Sequence, residues 1–374
     1  MKIRVLFLIH DLGGGGAEKV LVNLVNHMNL NKYCITVIAL FGGGINEQFL
    51  KSGIEYYSVW DRTIPANSKL MKLLSPKKLH QICIKDKYDI EIAYLEGPSS
   101  RIISGCPESN TKLIAWIHGQ QHNKKRAASS FRNYEESLKC YMRFDQVVTV
   151  SENVKNDFTT LYPDVKKVTV KYNTVDTKRI SQLKDERIES ITINKREINI
   201  IALGKITHNK GFDRMAFIIK KLHGDGFPVH FYALGEGEDR KLIEAYVNEN
   251  GMSHYYSLLG YQANPYKYLG ACDLFVCASW SEGFSTAATE ALVLGIPVCT
   301  VEVSGMKEML GSNNEWGIVT ENNDEALYQG IKWLISDTER LKYYKEKAVE
   351  RGKMFSTSET VKRVEEMIDG LVKS

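Results

Sequence analysis

Residues 272–298 read CDLFVCASWSEGFSTAATEALVLGIPV and contain a complete strand–loop–helix unit. The apolar run 274–278 predicts a strand, the Ser-Trp-Ser that follows predicts a loop, and the small-residue stretch closed by Gly-Ile-Pro predicts a helix. Glu282 then lies on the loop at the carboxyl end of the strand, and Glu290 lies within the helix. Ligands of open α/β sheets bind outside the carboxyl ends of the strands. The stretch therefore predicts a binding site together with the fold.

The same alternation extends along the rest of the chain. Nearly continuous apolar runs are typical of strands buried on both faces of a parallel sheet. Such runs occur at 3–9, 35–41, 90–95, 113–117, 147–150, 198–203, 229–234, 274–278 and 298–301. The polar segment 177–197 interrupts the pattern and is interpreted as a linker. We predict an α/β protein with two Rossmann-like domains, residues 1–176 and 198–357, that face each other across a cleft.

Composition excludes several classes of protein. The 374 residues, with 43% hydrophobic content, suffice for two domain cores. No apolar stretch approaches the roughly 20 residues that a membrane span needs, and the first strand follows Met1 and Lys2 without a signal-peptide pattern. The seven cysteines contain no Cys-x-x-Cys, so neither a disulfide framework nor a zinc site is expected. A cytoplasmic location is predicted.

The net charge of +4 is unevenly distributed. Residues 1–180 contain 26 Lys and Arg against 17 Asp and Glu, whereas the remainder contains 23 against 28. Two interpretations stay open: ordinary solvated surface, or contact of the first half with an anionic partner such as a phospholipid surface or a phosphorylated acceptor. Segments 69–80 and 124–126 are basic, and the former mixes leucine with lysine, as membrane-surface stretches and amphipathic surface helices both do. No motif combines basic and aromatic residues for nucleic acid.

Two strand-to-helix turns carry phosphate-binding signals. Residues 13–16 are four glycines before a helix, which let a backbone approach a ligand, although a flexible tight turn has the same composition. Neither a P-loop nor a dinucleotide fingerprint is present, which argues against a nicotinamide-dependent oxidoreductase. In the corresponding turn of the second half, Lys205 and Lys210 would place two ammonium groups where a diphosphate leaves with negative charge.

Three further side chains near predicted strand ends are candidates for chemistry. His118 follows the strand 113–117, although a lone histidine is more often structural. Ser281 and Ser285 have no evident His and Asp partners, so a nucleophilic serine is not supported. No Asp-x-Asp follows a strand, so no bound metal is expected and no cofactor is predicted beyond the donor substrate.

Taken together, these motifs resemble family 4 retaining glycosyltransferases of the GT-B fold. The matching stretches are GGGGAEKVLVNL, His118-Gly119, Val150-Ser151 with Val154-Lys155, Asn173–Asp176, Gly204-Lys205 with Lys210-Gly211, Leu234–Gly237, and Glu282–Ser285 with Glu290. In this family the second domain binds a nucleotide-sugar and the first binds the acceptor. The final helix usually crosses back to the first domain, as the amphipathic segment 358–374 could do here.

The resemblance implies roles for the donor-binding residues. Glu290 would hold the ribose hydroxyls, and Lys205 and Lys210 would neutralise the diphosphate. The amides of 283–285 (Gly283, Phe284 and Ser285) would face sugar and phosphate, and Gly16 would close on the diphosphate from the first domain. Lysine at position 205 replaces the family's more frequent arginine and loses the bidentate fork.

It also implies an activity. Glu282 and His118 are the candidate catalytic residues beside the transferred sugar. The chain is predicted to be a metal-independent hexosyltransferase that retains anomeric configuration, uses a UDP-sugar, and acts on a lipid-linked glycan in capsule or other cell-surface polysaccharide synthesis. The basic first half favours a peripheral location at the inner face of the plasma membrane. The alternative is a catalytically inactive subunit that assists another glycosyltransferase.

Overall fold

The chain forms two compact units in a computed structural model that describes residues 2–62 and 71–373. The first unit consists of Met1–Thr174 together with Thr357–Ser374, and the second consists of Val175–Ser356. Each unit is built on one parallel sheet with helices between the strands. Both are Rossmann-like domains, and the predicted fold class is confirmed.

The first sheet has seven parallel strands. They are β1 (Ile3–Ile9), β2 (Tyr33–Phe41), β3 (Glu55–Trp60), β4 (Ile90–Ala93), β5 (Lys112–Ile117), β6 (Gln146–Thr149) and β7 (Val168–Val170). The order across the sheet is β3-β2-β1-β4-β5-β6-β7. Strand β1 lies centrally and pairs with β2 from Ile3 opposite Tyr33 to Ile9 opposite Ala39. Every side chain from Val5 to Ile9 is fully buried, which explains its uninterrupted apolar sequence.

Helices connect these strands. They are α1 (Gly16–His27), α2 (Pro76–Cys83), α3 (Pro98–Ile103), α4 (Lys124–Ala127), α5 (Tyr134–Tyr141) and α6 (Glu152–Leu161). Several begin at a side-chain cap: Ser75, Asn123, Asn133 and Ser151 each accept a hydrogen bond from a backbone amide three residues on. These caps satisfy amides that a helix start leaves unpaired.

The second sheet has six parallel strands in the order β10-β9-β8-β11-β12-β13. They are β8 (Ile198–Leu203), β9 (Val229–Leu234), β10 (Tyr256–Gly260), β11 (Leu274–Cys277), β12 (Val298–Val301) and β13 (Ile318–Thr320). The helices of this unit are α7 (Thr177–Leu183), α8 (Phe212–Gly224), α9 (Arg240–Glu249), α10 (Tyr266–Ala271), α11 (Thr286–Val293), α12 (Met306–Leu310), α13 (Asp324–Ile335) and α14 (Thr338–Gly352).

The strands that the sequence did not predict are the edges of the two sheets. Strands β3 and β7 flank the first sheet, and β10 and β13 flank the second. Strand β3 is partly exposed along its length, and β7 and β13 have three residues each. An edge strand has only one neighbour and can be short and partly solvated. It therefore lacks the continuous apolar run by which the central strands were recognised.

The segment at 177–197 differs from the predicted linker. Its first part is α7, whose Ile180 is buried against Val175 and Tyr266 of the second unit. The sequence did not predict this helix because only one of its side chains is fully buried, so it has no periodic apolar pattern.

The last helix, α15 (Thr357–Lys373), packs on the first unit. Glu365 accepts a hydrogen bond from the backbone amide of Asn29 at 2.7 Å, and Asp369 accepts one from the Tyr33 hydroxyl at 2.7 Å. Val361, Val364 and Ile368 form its buried face. The amphipathic pattern of the sequence thus corresponds to a helix with a defined docking surface.

Candidate functional site

Two of the predicted site residues, Lys210 and Glu282, meet at a topological switch point of the second sheet. The strand order of this sheet reverses between β8 and β11, which are neighbours and pair at Leu274–Ile200 and Phe275–Ile201. The connection after β8 carries Lys205 and Lys210, and the connection after β11 carries Glu282. Connections that leave adjacent strands toward opposite faces open a crevice, and ligands bind there.

Lys210 and Glu282 form the charged centre of this crevice. The Lys210 ammonium donates to Glu282 Oε1 at 2.6 Å, and the Ser279 hydroxyl donates to the same oxygen at 2.6 Å. Burial by itself lowers the pKa of Lys210, but the Glu282 carboxylate outweighs it and raises that pKa. Lys210 is therefore a cation throughout the physiological pH range.

Two hydrogen bonds join the connection after β8 to the connection after β11. The Trp280 amide donates to the Asn209 carbonyl at 2.8 Å, and the Asn209 side chain donates to the Ser281 carbonyl at 3.2 Å. Gly211 takes a left-handed φ of 68°, and a Cβ there would lie 2.1 Å from the carbonyl oxygen of Ala278. Only glycine fits this position, which explains why Gly211 follows Lys210 directly.

Sequence reasoning missed the arginine beneath this loop. Arg214 is 2% exposed, and its guanidinium binds Asp324 at 2.8 Å and Asn322 at 2.9 Å. It also donates to the Ala278 carbonyl at 3.2 Å and lies 4.0 Å from the centre of the Trp280 ring. The position of Arg214 in an amphipathic helix did not indicate that it supports this loop, because its hydrogen-bond partners lie far away in the sequence.

Helix α11 starts directly after the loop that carries Glu282. Ser285 is its N-cap and accepts from the Ala288 amide at 3.3 Å. The side chain of Phe284 is buried against Phe355, with ring centroids 5.9 Å apart, so its backbone is the part that can serve a ligand. Helix α11 begins at Thr286, directly after this cap.

Glu290 lies inside α11 and is 4% exposed. The Tyr266 hydroxyl donates to its Oε1 at 3.1 Å. This tyrosine, which the sequence did not indicate, orients one carboxylate oxygen. Lys205, in contrast, is exposed at the mouth of the β8 connection.

Gly16 and His118 belong to the first unit. Gly16 is the first residue of α1, and the Asp11 side chain accepts from the Gly13 amide at 2.7 Å in the turn before it. The Glu18 carboxylate folds over Gly15, where a Cβ would lie 2.2 Å from its Oε2, so Glu18 covers the helix start.

His118 follows β5 and packs in an aromatic environment. Its ring centroid lies 4.9 Å from that of Tyr94 and 6.5 Å from that of Trp116. Burial lowers its pKa to about 3, so the imidazole is neutral. Its Nε2 is buried without a hydrogen-bond partner among the residues that the structure describes. A buried polar atom of this kind is a candidate ligand contact.

One further polar cluster lies within the first unit, away from the predicted residues. His80 Nε2 lies 2.7 Å from Glu91 Oε2, and Cys106 Sγ lies 3.6 Å from Glu91 Oε1, with all three residues buried. The hydrogen bonds within the cluster satisfy its buried polar atoms.

Comparisons with known proteins match both halves of the chain. Residues 14–179 match the family model "Glycosyltransferase Family 4", and residues 184–351 match "Glycosyl transferases group 1". An N-acetylgalactosamine-N,N'-diacetylbacillosaminyl-diphospho-undecaprenol 4-alpha-N-acetylgalactosaminyltransferase from Campylobacter jejuni is 27% identical over 358 residues. That alignment covers 93% of this chain and 94% of the relative.

Solved structures share the fold. A glycosyltransferase from Rickettsia africae superposes with a TM-score of 0.78 at 18% identity, covering 100% of this chain and 99% of that one. Anabaena HepE, determined in complex with UDP, superposes with a TM-score of 0.75 at 17% identity, covering 99% of this chain and 100% of that one. The two-domain GT-B architecture is common to all three.

Proposed function

Since the chain belongs to the glycosyltransferases of the family 4 and group 1 models, we propose that it transfers a sugar from a UDP-sugar. The acceptor would be a hydroxyl of a lipid-linked glycan, and the anomeric configuration would be retained. The observation that carries the proposal is the Lys210–Glu282–Ser279 cluster at the switch point of the second sheet. It combines a cation for a phosphate with a carboxylate for sugar hydroxyls.

The leaving group is a nucleoside diphosphate, whose negative charge grows as the sugar departs. Lys210 is charged at neutral pH, Lys205 is exposed beside it in the chain, and the α11 start offers backbone amides. Cations and helix-start amides stabilise such charge. These groups would stabilise the leaving diphosphate in place of a metal ion. We therefore expect transfer to persist when divalent cations are chelated.

The nucleoside would be held by Glu290. A carboxylate can accept hydrogen bonds from both ribose hydroxyls, and the Tyr266 contact keeps one of its oxygens oriented. Anabaena HepE and Staphylococcus aureus TarM have been crystallised with UDP. These complexes support uridine as the nucleoside.

Transfer would proceed on one face of the sugar. The bond between the anomeric carbon and the diphosphate oxygen breaks, and its electron pair leaves with the diphosphate. The acceptor oxygen bonds to the same carbon from the same side, and its proton passes to the departing phosphate oxygen. Glu282, held by Lys210 and Ser279, would bind sugar hydroxyls. His118, as a neutral imidazole, would offer Nε2 as a hydrogen-bond partner to the sugar.

We expect the first product to keep the anomeric configuration of the donor. Proton NMR of the glycoside product measures this through the coupling constant of the anomeric proton. A panel of UDP-sugars, assayed by UDP release with membrane lipid extract and with added EDTA, identifies the donor. An inverted anomeric configuration in the product would contradict the proposed mechanism. Loss of all turnover in EDTA would contradict metal independence.

We propose the acceptor class from the name of a relative and from the charge of the first half. The Campylobacter relative is named for transfer to a diphospho-undecaprenol-linked sugar. Within residues 2–62 and 71–373, no helix combines the length and apolar character required for a membrane span. From the name of the Campylobacter relative and the basic first half, we propose peripheral contact with the inner face of the plasma membrane, in capsule or related surface-polysaccharide synthesis.

Residues 71–78 present a suitable surface for that contact. Lys69 and Leu70, which the sequence grouped with them, lie outside the described residues. Leu73 is 76% exposed and Leu74 is 37% exposed, and exposed Lys77 and Lys78 follow. Apolar side chains flanked by lysines suit an anionic bilayer surface.

Two arginines hold this surface in place. Arg101, buried and paired with Glu136, donates to the carbonyls of Met71 and Leu74 at 2.7 and 2.8 Å. Arg132 donates to the carbonyl of Leu73 at 3.0 Å. The exposed leucines are therefore displayed by a fixed backbone.

Leu73→Asp combined with Lys77→Glu and Lys78→Glu should abolish co-sedimentation with vesicles that contain anionic phospholipid. Each lost basic residue costs about 1 kcal/mol of surface attraction. The matched control is Lys220→Glu with Lys221→Glu on α8 of the second unit, which should leave binding unchanged. Equal binding by the triple variant and the wild type would remove this surface from the membrane contact.

The alternative, an inactive partner subunit, makes a different prediction. It would bind nucleotide without turning it over. The hydrogen-bonded pair of Lys210 and Glu282 supports catalysis. Slow hydrolysis of the donor by the purified chain alone discriminates between the two.

A further inference from the structure

The His118 loop of the first unit is held by two carboxylates from neighbouring parts of the sheet. Strands β4, β5 and β6 lie side by side, and the connections at their carboxyl ends are adjacent. Glu96 comes from the turn after β4, the loop 118–122 follows β5, and Asp157 lies on α6, which follows β6. Three consecutive strand–helix units thus meet at one loop.

Both carboxylate oxygens of Glu96 accept hydrogen bonds from the loop. Its Oε2 accepts from the His118 amide at 2.8 Å, and its Oε1 accepts from the Gln121 side chain at 3.2 Å. The loop also passes close to this carboxylate: a Cβ at Gly119 would lie 3.3 Å from Oε1. Burial raises the pKa of Glu96, and the amides of His118 and Gly119 lower it in part.

Asp157 binds the second part. Its two oxygens accept from the Gln121 amide at 2.7 Å and from the His122 amide at 3.0 Å. His122 has a φ of 61°, in the left-handed region that a non-glycine residue uncommonly adopts. The surrounding contacts must hold that conformation, and the Asp157 carboxylate is among them.

Only the backbone of His118 is bound by Glu96, whereas its Nε2 has no partner among the described residues. The ring rests on Tyr94, with centroids 4.9 Å apart. The position of the free nitrogen is therefore set by the aromatic contact and by the backbone hydrogen bond to Glu96.

We propose that Glu96 and Asp157 are positioning residues that clamp the loop 118–122 and thereby place the imidazole of His118 for sugar transfer. This inference rests on the proposed function for the role of His118, but the clamp itself does not depend on it. A misplacement of about 1 Å at a reacting centre can cost roughly 100-fold in rate.

Glu96→Gln is the decisive substitution because it keeps the shape of the side chain. Both oxygens of Glu96 face donors, and an amide offers only one acceptor, so one donor would meet an NH₂ group. Hydrogen exchange should become at least about tenfold faster at the amides of His118 and Gly119 as the local opening cost falls. Glu135→Gln, an exposed carboxylate on α5, is the matched control and should leave exchange unchanged.

Activity gives the second readout. Glu96→Gln should lower kcat by about 10- to 100-fold with the donor KM unchanged, since Lys210 and Glu290, the proposed diphosphate and ribose contacts, lie in the other unit. In a His118→Ala background the same substitution should change kcat by less than about threefold, because residues that act through one another are not additive. A general structural defect would lower kcat equally in both backgrounds.

The outcomes separate cleanly. Unchanged exchange in Glu96→Gln, or equal losses of kcat in the two backgrounds, overturns the proposal. If Glu96→Gln does not fold, Asp157→Asn tests the same loop at the amides of Gln121 and His122. The proposed function fails by a separate result, which is a wild-type chain that releases nucleotide from no donor.

Discussion

Replacing both Lys205 and Lys210 by alanine should lower donor turnover by at least about 10³-fold, since loss of a single group that stabilises developing charge typically costs 10²–10³ in kcat. Lys210 accounts for most of the expected loss. Its ammonium is held 2.6 Å from Glu282 and stays charged, whereas Lys205 is exposed.

The measurement is UDP release under saturating donor, with each single variant beside the double one. Lys221→Ala is the matched control, because Lys221 is a lysine of the same unit whose partner, Glu325, lies on the surface. It should keep wild-type turnover. If the double variant also keeps wild-type turnover, the two lysines do not contact the diphosphate.

Glu290→Gln should weaken UDP binding by roughly 10- to 100-fold, because a hydrogen bond to a charged group contributes about 1.5–3 kcal/mol. The loss should appear in the donor KM and in calorimetric UDP affinity more than in kcat, since ribose contacts are the same in substrate and transition state. Tyr266→Phe removes the hydroxyl that orients the carboxylate and should give a smaller loss in the same direction.

The control for this pair is Glu325→Gln, an exposed carboxylate of the second unit. It should leave UDP affinity unchanged. Glu290 is buried, so the melting temperature of each variant must be measured as well. A Glu290→Gln chain that folds and binds UDP as tightly as the wild type would exclude the ribose contact.

Much of the fold followed from local pattern. The predicted strands at 3–9, 198–203, 229–234 and 298–301 coincide with β1, β8, β9 and β12 to the residue. These strands are central or next to central, so both faces are buried and the apolar run is uninterrupted. Apolar runs did not predict the edge strands or α7, because these elements face solvent on one side and their sequences are more polar.

The chain positions of the site residues were also predictable. A charged or glycine-rich segment directly after a buried strand falls at the carboxyl edge of a parallel sheet. Lys205, Lys210, Glu282 and His118 all satisfy that rule. Their partners were not predictable: Lys210 and Glu282 are 72 residues apart, and Arg214 and Asp324 are 110 apart.

The sequence by itself determined the alternation of strands and helices and the loops that carry chemistry, because both depend on side-chain periodicity within a few residues. Only the tertiary structure decided which loops meet. The strand order places β8 beside β11 and β4 beside β5, and so joins Lys210 to Glu282 and Glu96 to the His118 loop. Strand order arises from long-range packing, and no local pattern of residues encodes it.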